Sequence, residues 1–253
     1  MTPNNYFSET YGQARARFLA AAEAAGGRIV SHENPLARGP GETRLFTDTA
    51  WFGPANAGTV LLNTSGTHGA EGYGGSAVQT AWIAEGGPAA LPRDVAVLMV
   101  HAVNPFGFAW GLRGTENNVD LNRNFLDHGR PHPENPLYAA LHDILCPATL
   151  DEDAIQKMLA GGARFIEKHG QWALEDAISR GHYTRAAGSH LAAPPPARST
   201  PTMREIVAPS LTHDHRLDLI PSPSARAARR APTPSAYHHP QTPALRPAPH
   251  WAQ

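Results

Sequence analysis

At 253 residues, 41% of them hydrophobic and 17% charged, the chain has enough apolar material for one substantial core, or one core with a small appendage. Its 21 basic and 22 acidic side chains nearly cancel to a formal charge of −1, which argues against nucleic acid or an anionic membrane as a partner. A single cysteine, Cys146, excludes an intrachain disulfide, and no apolar run approaches the roughly 18 residues of a membrane span.

The opening residues, MTPNNYFSETYGQAR, lack the basic-then-apolar pattern of a secretory leader, so the cytoplasm is the expected compartment. Tyr11, Ala14, Phe18, Ala21 and Ala22 recur at helical spacing, predicting a helix from Ser8 to Ala24 that Gly26-Gly27 stops. Short strands are expected at Arg28–Ser31 and Thr43–Thr47, and a better one at Thr59–Asn63, compact, apolar and flanked by turn formers. The chain then passes through SGTHGAEGYGG, read as a loop, into a helix from Ser76 to Ala84. Asp94–Ala102, DVAVLMVHA, is nearly continuous in its apolar character and predicts a central strand covered on both faces.

Further helices are predicted at Pro136–Leu145, Glu152–His169 and Trp172–Arg180. In the second, Ile155, Leu159 and Ile166 fall on one stripe, and Gly161-Gly162 is expected to weaken or break the helix. Cys146 ends an apolar helical stretch and reads as a small buried hydrophobe. After Tyr183 the text changes to AAGSHLAAPPPARST at 186–200, recovers briefly at 203–211, and from Pro221 becomes rich in proline, alanine and arginine without an acidic residue. The expected organisation is an α/β domain over 1–185, a degenerate continuation over 186–220, and a disordered tail over 221–253. A shift of reading frame would produce such a change of text, and translating the other two frames of the gene checks this.

Strand, loop, helix, strand is the order of an α/β sheet with helices packed against it. Such sheets gather ligand-binding groups beyond the carboxyl ends of their strands, where the loops after Asn63 and Ala102 fall. In the first loop His68 and Glu71 stand three apart among glycines, an imidazole and a carboxylate suited to borderline-soft zinc, with the alternative of an ordinary surface turn. In the second, HAVNPFGFAWGLRGTENNVDLNRNF, Arg113 and Arg123 suit bidentate recognition of a carboxylate or stabilisation of oxyanion charge. Asn122 adds a hydrogen bond, and Asp120 could orient a metal-bound histidine. Structural ion pairs and turn caps are the competing account of these residues. His128, His132 and Glu134 read as a solvated loop, and His169, His182 and His190 as helix-end residues favourable to the helix dipole.

THGAEG, NPFGF and RGTENNVDLNRNF together resemble the DUF2817 branch of the carboxypeptidase-like metallohydrolases over roughly residues 5 to 183, and more distantly the aspartoacylase and succinylglutamate desuccinylase group. The resemblance implies a mixed, mostly parallel sheet flanked by helices, here incomplete at its C-terminal side, and one zinc ion. It implies His68 and Glu71 as zinc ligands, Arg113 as the group that polarises a scissile carbonyl, and Asn122 with Arg123 as the grip on a substrate carboxylate.

The implied activity is zinc-dependent hydrolysis of amide bonds in small peptides. The alternatives are a deacylase of N-acyl amino acids and an inactive relative that binds carboxylates. The family takes its third ligand from a later strand ending in a motif like DLHTGLG, where this chain reads Leu217-Asp218-Leu219-Ile220-Pro221, and its general-base glutamate from beyond Asp218, where this chain has no acidic residue. The third ligand is therefore unassigned, with His213 and His215 as stand-ins nearest in sequence and His238 and His239 farther on.

Overall fold

The computed structural model of the chain describes residues 6–183, 202–207 and 216–220, the last as backbone only. His213, His215, His238, His239 and His190 lie outside the described residues, as do the proline-rich stretch of 186–200 and the tail. No helix among the described residues is long and apolar enough to cross a membrane.

Helix α1, Tyr11–Ala24, begins where the Thr10 side chain accepts from the Gln13 backbone N–H, so the cap sets a start later than periodicity alone suggests. Tyr11, Ala14, Phe18 and Ala22 form its buried face. The Tyr11 hydroxyl donates to the Phe46 carbonyl at 3.0 Å and accepts from the Phe46 N–H at 2.8 Å, tying α1 to the sheet.

Strands β1, Arg28–Gly39, and β2, Thr43–Phe52, form an antiparallel hairpin and run well past the short stretches expected. Half of β1 is exposed, so its extra length carries no apolar signal and is fixed by pairing with β2. Strands β3, Thr59–Thr64, β4, Val95–His101, and β5, Arg216–Ile220, complete a five-stranded sheet in the order β1-β2-β4-β3-β5.

The sheet is mixed: β1–β2 and β2–β4 are antiparallel, β4–β3 and β3–β5 parallel. Its parallel half is the part that carries the loops of interest. The expectation of a central β4 covered on both faces holds. Val97 and Met99 pack with Phe18, Ala22 and Ile83 on the side of α1 and of α2, Gly69–Ala84. Leu98 and Val100 pack on the other side with Val60, Leu62, Val119 and Leu121, joined by Met203 and Ile206 from a short helix at 202–207. The segment read as a degenerate continuation thus supplies both a core patch and an edge strand. Register places Ile220 beside Asn63, at the carboxyl end of β3.

Helices α3, Pro105–Trp110, and α4, Leu121–Asn124, follow β4. Helices α5, Pro136–Leu145, α6, Glu152–His169, and α7, Gln171–Ser179, then pack around Leu141, Phe165 and Ala177 as a separate small cluster. Three expectations need correction here. Helix α6 runs unbroken through Gly161-Gly162, and its buried side is Ala154, Gly161 and Phe165. The predicted stripe faces water, with Ile155 39% and Leu159 64% exposed. The reason is close helix packing: a Cβ at Gly161 would lie 2.6 Å from the Ile144 side chain, so Gly161 faces α5 and the row of Ile155 and Leu159 is turned outward. Cys146 is half-buried at the α5 C-cap, its Sγ 3.8 Å from the Tyr138 hydroxyl, rather than in an apolar core.

Candidate functional site

The glycine-rich stretch read as a loop is the start of α2. His68 is its N-cap residue and Glu71 lies in its first turn. Glycine signals a loop in sequence, but here it permits contact. A Cβ at Gly69 would lie 1.9 Å from the Gly107 carbonyl oxygen and 2.5 Å from that of Leu112, and one at Gly72 would lie 2.8 Å from the Phe108 ring. The helix therefore starts pressed against α3. The loops after β3 and β4 are also bonded to each other, by Val103 N–H to the Ser65 carbonyl at 2.9 Å and Asn104 N–H to the Gly66 carbonyl at 2.9 Å. Just before these bonded residues Ala102, fully buried, adopts φ +59°, a left-handed conformation that costs a residue with a Cβ and that the surrounding packing imposes.

Asn104 does more than mark a turn. It caps α3 through the Gly107 N–H at 2.8 Å, and its amide nitrogen donates to the Gly114 carbonyl at 3.1 Å, holding the stretch that carries Arg113. A turn closed by Asn118 N–H to the Thr115 carbonyl then brings Asp120 back to the centre. Asp120 is 1% exposed and has its oxygens fully engaged. One accepts from the Asn122 backbone N–H at 2.9 Å and lies 3.2 Å from His68 Nε2, and the other accepts from Arg113 Nε at 3.0 Å. Burial pushes the Asp120 pKa up. The His68 hydrogen bond and the Arg113 guanidinium outweigh it and hold the carboxyl well below the usual carboxylate range.

An ionised carboxylate only accepts, so His68 Nε2 must carry the proton it gives to Asp120. Nδ1 is then an acceptor in the neutral ring, and it faces Glu71 Oε1, another acceptor, at 3.4 Å. Two acceptors at this distance call for something positive between them, a second proton on the imidazole or a metal cation. His68 is 7% exposed, whereas the Glu71 side chain is 60% exposed and open to a ligand from solvent. Imidazole nitrogen and carboxylate oxygen are the donor types zinc takes, so the pair fits that ion as half of a ligand set. Among the described residues no group of three or more His, Cys, Asp or Glu converges to complete one.

The structure thus brings His68, Glu71, Asp120, Arg113 and Asn122 together, the Asn122 amide lying 3.4 Å from His68 Nε2. Arg123 points elsewhere: its Nε donates to the Ser179 carbonyl at 2.7 Å at the end of α7. Tyr183, which nothing in the sequence singles out, donates its hydroxyl to the Arg123 carbonyl at 2.9 Å and stacks on His132 at 4.9 Å. His132 Nε2 lies 3.1 Å from His128 Nδ1, so this loop is organised by its own side chains rather than merely solvated. His182 is 2% exposed and stacked on Tyr138 at 4.2 Å, a core residue rather than a helix-end one.

A buried aspartate that binds a histidine and an arginine at the carboxyl ends of parallel strands defines a polar centre of an α/β protein, with chemistry displayed at the strand ends. The chain belongs to the DUF2817 family: that family, described as a protein of unknown function, matches residues 7–251, running on well past Tyr183. No curated protein matches the chain in sequence.

Among solved structures it is similar to a glutaminyl cyclase from Fimbriiglobus ruber, at 17% identity and a TM-score of 0.27, covering 38% of this chain and 39% of that one. It is also similar to a metallo-carboxypeptidase from Burkholderia cenocepacia, at 20% identity and a TM-score of 0.32, covering 65% of this chain and 40% of that one. A Zn-dependent exopeptidase from Parabacteroides distasonis is similar at 13% identity and a TM-score of 0.32, covering 86% and 78%. The chain spans well under half of the first two, and likenesses this slight bear no weight on activity.

Proposed function

We propose that the chain is a carboxypeptidase-like metallohydrolase by descent, holding zinc through His68 Nδ1 and Glu71 and directed at amide bonds next to a carboxylate, in small peptides or N-acyl amino acids. The observation that carries this reading is the facing pair of acceptors, with Asp120 fixing which imidazole nitrogen is free. A carboxylate on the far nitrogen of a ligating histidine fixes which ring nitrogen carries the proton, and Asp120 stands where it would do so for His68. Bound zinc would supply Lewis-acid polarisation of a carbonyl oxygen.

The chain's own residues would do the rest. Arg113, 45% exposed in its side chain and steadied by Asp120 through Nε alone, keeps its terminal nitrogens for an oxyanion or carboxylate. Asn122 stands beside the same point. Arg123 grips a substrate carboxylate only through the nitrogens its bond to Ser179 leaves over.

A third metal ligand has to come from outside the described residues. The resemblance calls for histidine at Ile220, and the backbone register places that position beside Asn63 at the same sheet end. The experiment is zinc content of full-length protein after dialysis, with zinc titration of His68→Ala and Ile220→His. The reading expects zinc bound by the parent chain, binding lost in H68A, and affinity raised at least about tenfold in I220H, about 1.4 kcal/mol. Zinc-free folded protein whose I220H variant also binds none would overturn it.

A further inference from the structure

We propose that, within the carboxylate grip assigned above and resting on that assignment, His132 is a positioning residue: it locks the two side chains that hold the end of α4, and through them the aim of Arg123. Helix α4 is a single turn, too short to hold its own shape, and its last carbonyls have no partner within the helix. Two of them are taken from outside. The Tyr183 hydroxyl donates to the Arg123 carbonyl at 2.9 Å. His128 Nε2 lies 3.0 Å from the Asn124 carbonyl, which the Leu126 N–H also reaches at 2.9 Å. His132 joins these two holders. Its ring stacks on Tyr183, with centroids 4.9 Å apart and planes within 4° of parallel, and its Nε2 is 3.1 Å from His128 Nδ1.

The hydrogen bonds fix the order of donors. A carbonyl only accepts, so His128 Nε2 carries a proton. With both rings neutral, His128 Nδ1 is then an acceptor and His132 Nε2 must donate to it. Tyr183 stays a donor because burial raises its pKa; the Arg123 charge lowers it and the Asp120 charge raises it, so the ring lies within reach of both. The stretch that ends in Tyr183 also holds the Arg123 side chain, through the Ser179 carbonyl on Nε at 2.7 Å. Asn135 fastens that stretch in turn, donating to the carbonyls of Ala177 at 2.8 Å and Gly181 at 2.9 Å. His132 thus joins the loop after α4 to the chain after α7, and Arg123 is held between them.

Full-length parent, His132→Ala and Tyr183→Phe are compared by NMR on nitrogen-labelled protein, with circular dichroism to verify each fold and N-acetylglycine as the carboxylate probe. At a pH where both rings are neutral, the parent is expected to show His128 and His132 protonated on Nε2 alone, and a slowly exchanging Arg123 Nε–H. In H132A the His128 ring is expected to mix both tautomers. Its Arg123 Nε–H is expected to exchange at least about fivefold faster and N-acetylglycine affinity to fall about as much, the factor of one hydrogen bond. Y183F, which keeps the ring and loses only the hydroxyl, is expected to speed the Arg123 exchange equally while His128 keeps its tautomer, and it decides the matter if H132A does not fold. An Arg123 signal unchanged in folded H132A or in Y183F overturns the proposal. So does a freely exchanging Arg123 Nε–H, or a neutral His128 protonated on Nδ1, in the parent. Parent protein that does not bind N-acetylglycine overturns the carboxylate grip instead, and the Arg123 signal still decides what His132 holds.

Discussion

His101 gives the sharpest prediction about stability. It is fully buried, stacks on Phe18 at 4.6 Å, and its Nε2 lies 2.9 Å from the Ser76 hydroxyl, while Nδ1 has no hydrogen-bond partner. Burial lowers its pKa to about 4. Asp48, its cross-strand neighbour, works against the shift, and Arg15, which is paired to Asp48, adds to it. The unfolded chain protonates this ring near pH 6.5 and the folded protein only near pH 4, so between those values the unfolded state binds the extra proton. Stability is therefore complete above pH 6.5 and declines as pH falls toward 4, by about 3 kcal/mol in all.

The assay is urea unfolding at several values across that window, on the parent and on His101→Gln, which keeps a partner for Ser76 but does not titrate. The parent is expected to lose more stability on acidification than the variant, by about 3 kcal/mol near the acid end. Parallel pH dependence in the two proteins would refute the reasoning. The salt-bridged carboxylate of Glu33, lowered from 4.5 to about 2 by Arg44 and Arg38, begins to cost stability as pH falls below about 4.5, but it does so equally in parent and variant and cancels in the comparison.

Two further outcomes follow from the centre itself. Gly69→Ala drives a methyl group into the Gly107 and Leu112 carbonyl oxygens, neither of which can move without disturbing α3, and should cost about 3 kcal/mol or more in denaturant unfolding. A change under about 0.5 kcal/mol would show that α2 does not start pressed on α3. Asp120→Asn leaves His68 without its anionic partner and is expected to weaken zinc binding about 10- to 100-fold in competition with a chelator. Unchanged affinity would mean that Asp120 serves Arg113 alone.

The sequence by itself determined which chemistry is available and in what order the layers come. Continuous apolar text over Asp94–Ala102 made β4 central, because an apolar run is a local property, while THGAEG and VDLNRNF offered candidate donors and arginines only through the family resemblance they carry. Where the outcome depended on what packs against what, sequence alone did not decide. HGAEGYGG reads as a loop until Phe108 and the Gly107 carbonyl are known to press on it, at which point the same glycines are what let a helix form there.

The stripe of α6 has the right period and the wrong side, because the close approach of α5 at Gly161 set the inward face, with Ala154 and Phe165 beside it. Nothing local says that Asp120 accepts from His68, or that the Tyr183 hydroxyl bonds the Arg123 carbonyl. Those contacts join residues far apart in the chain, and only the closing of the sheet and its helices brings them within reach.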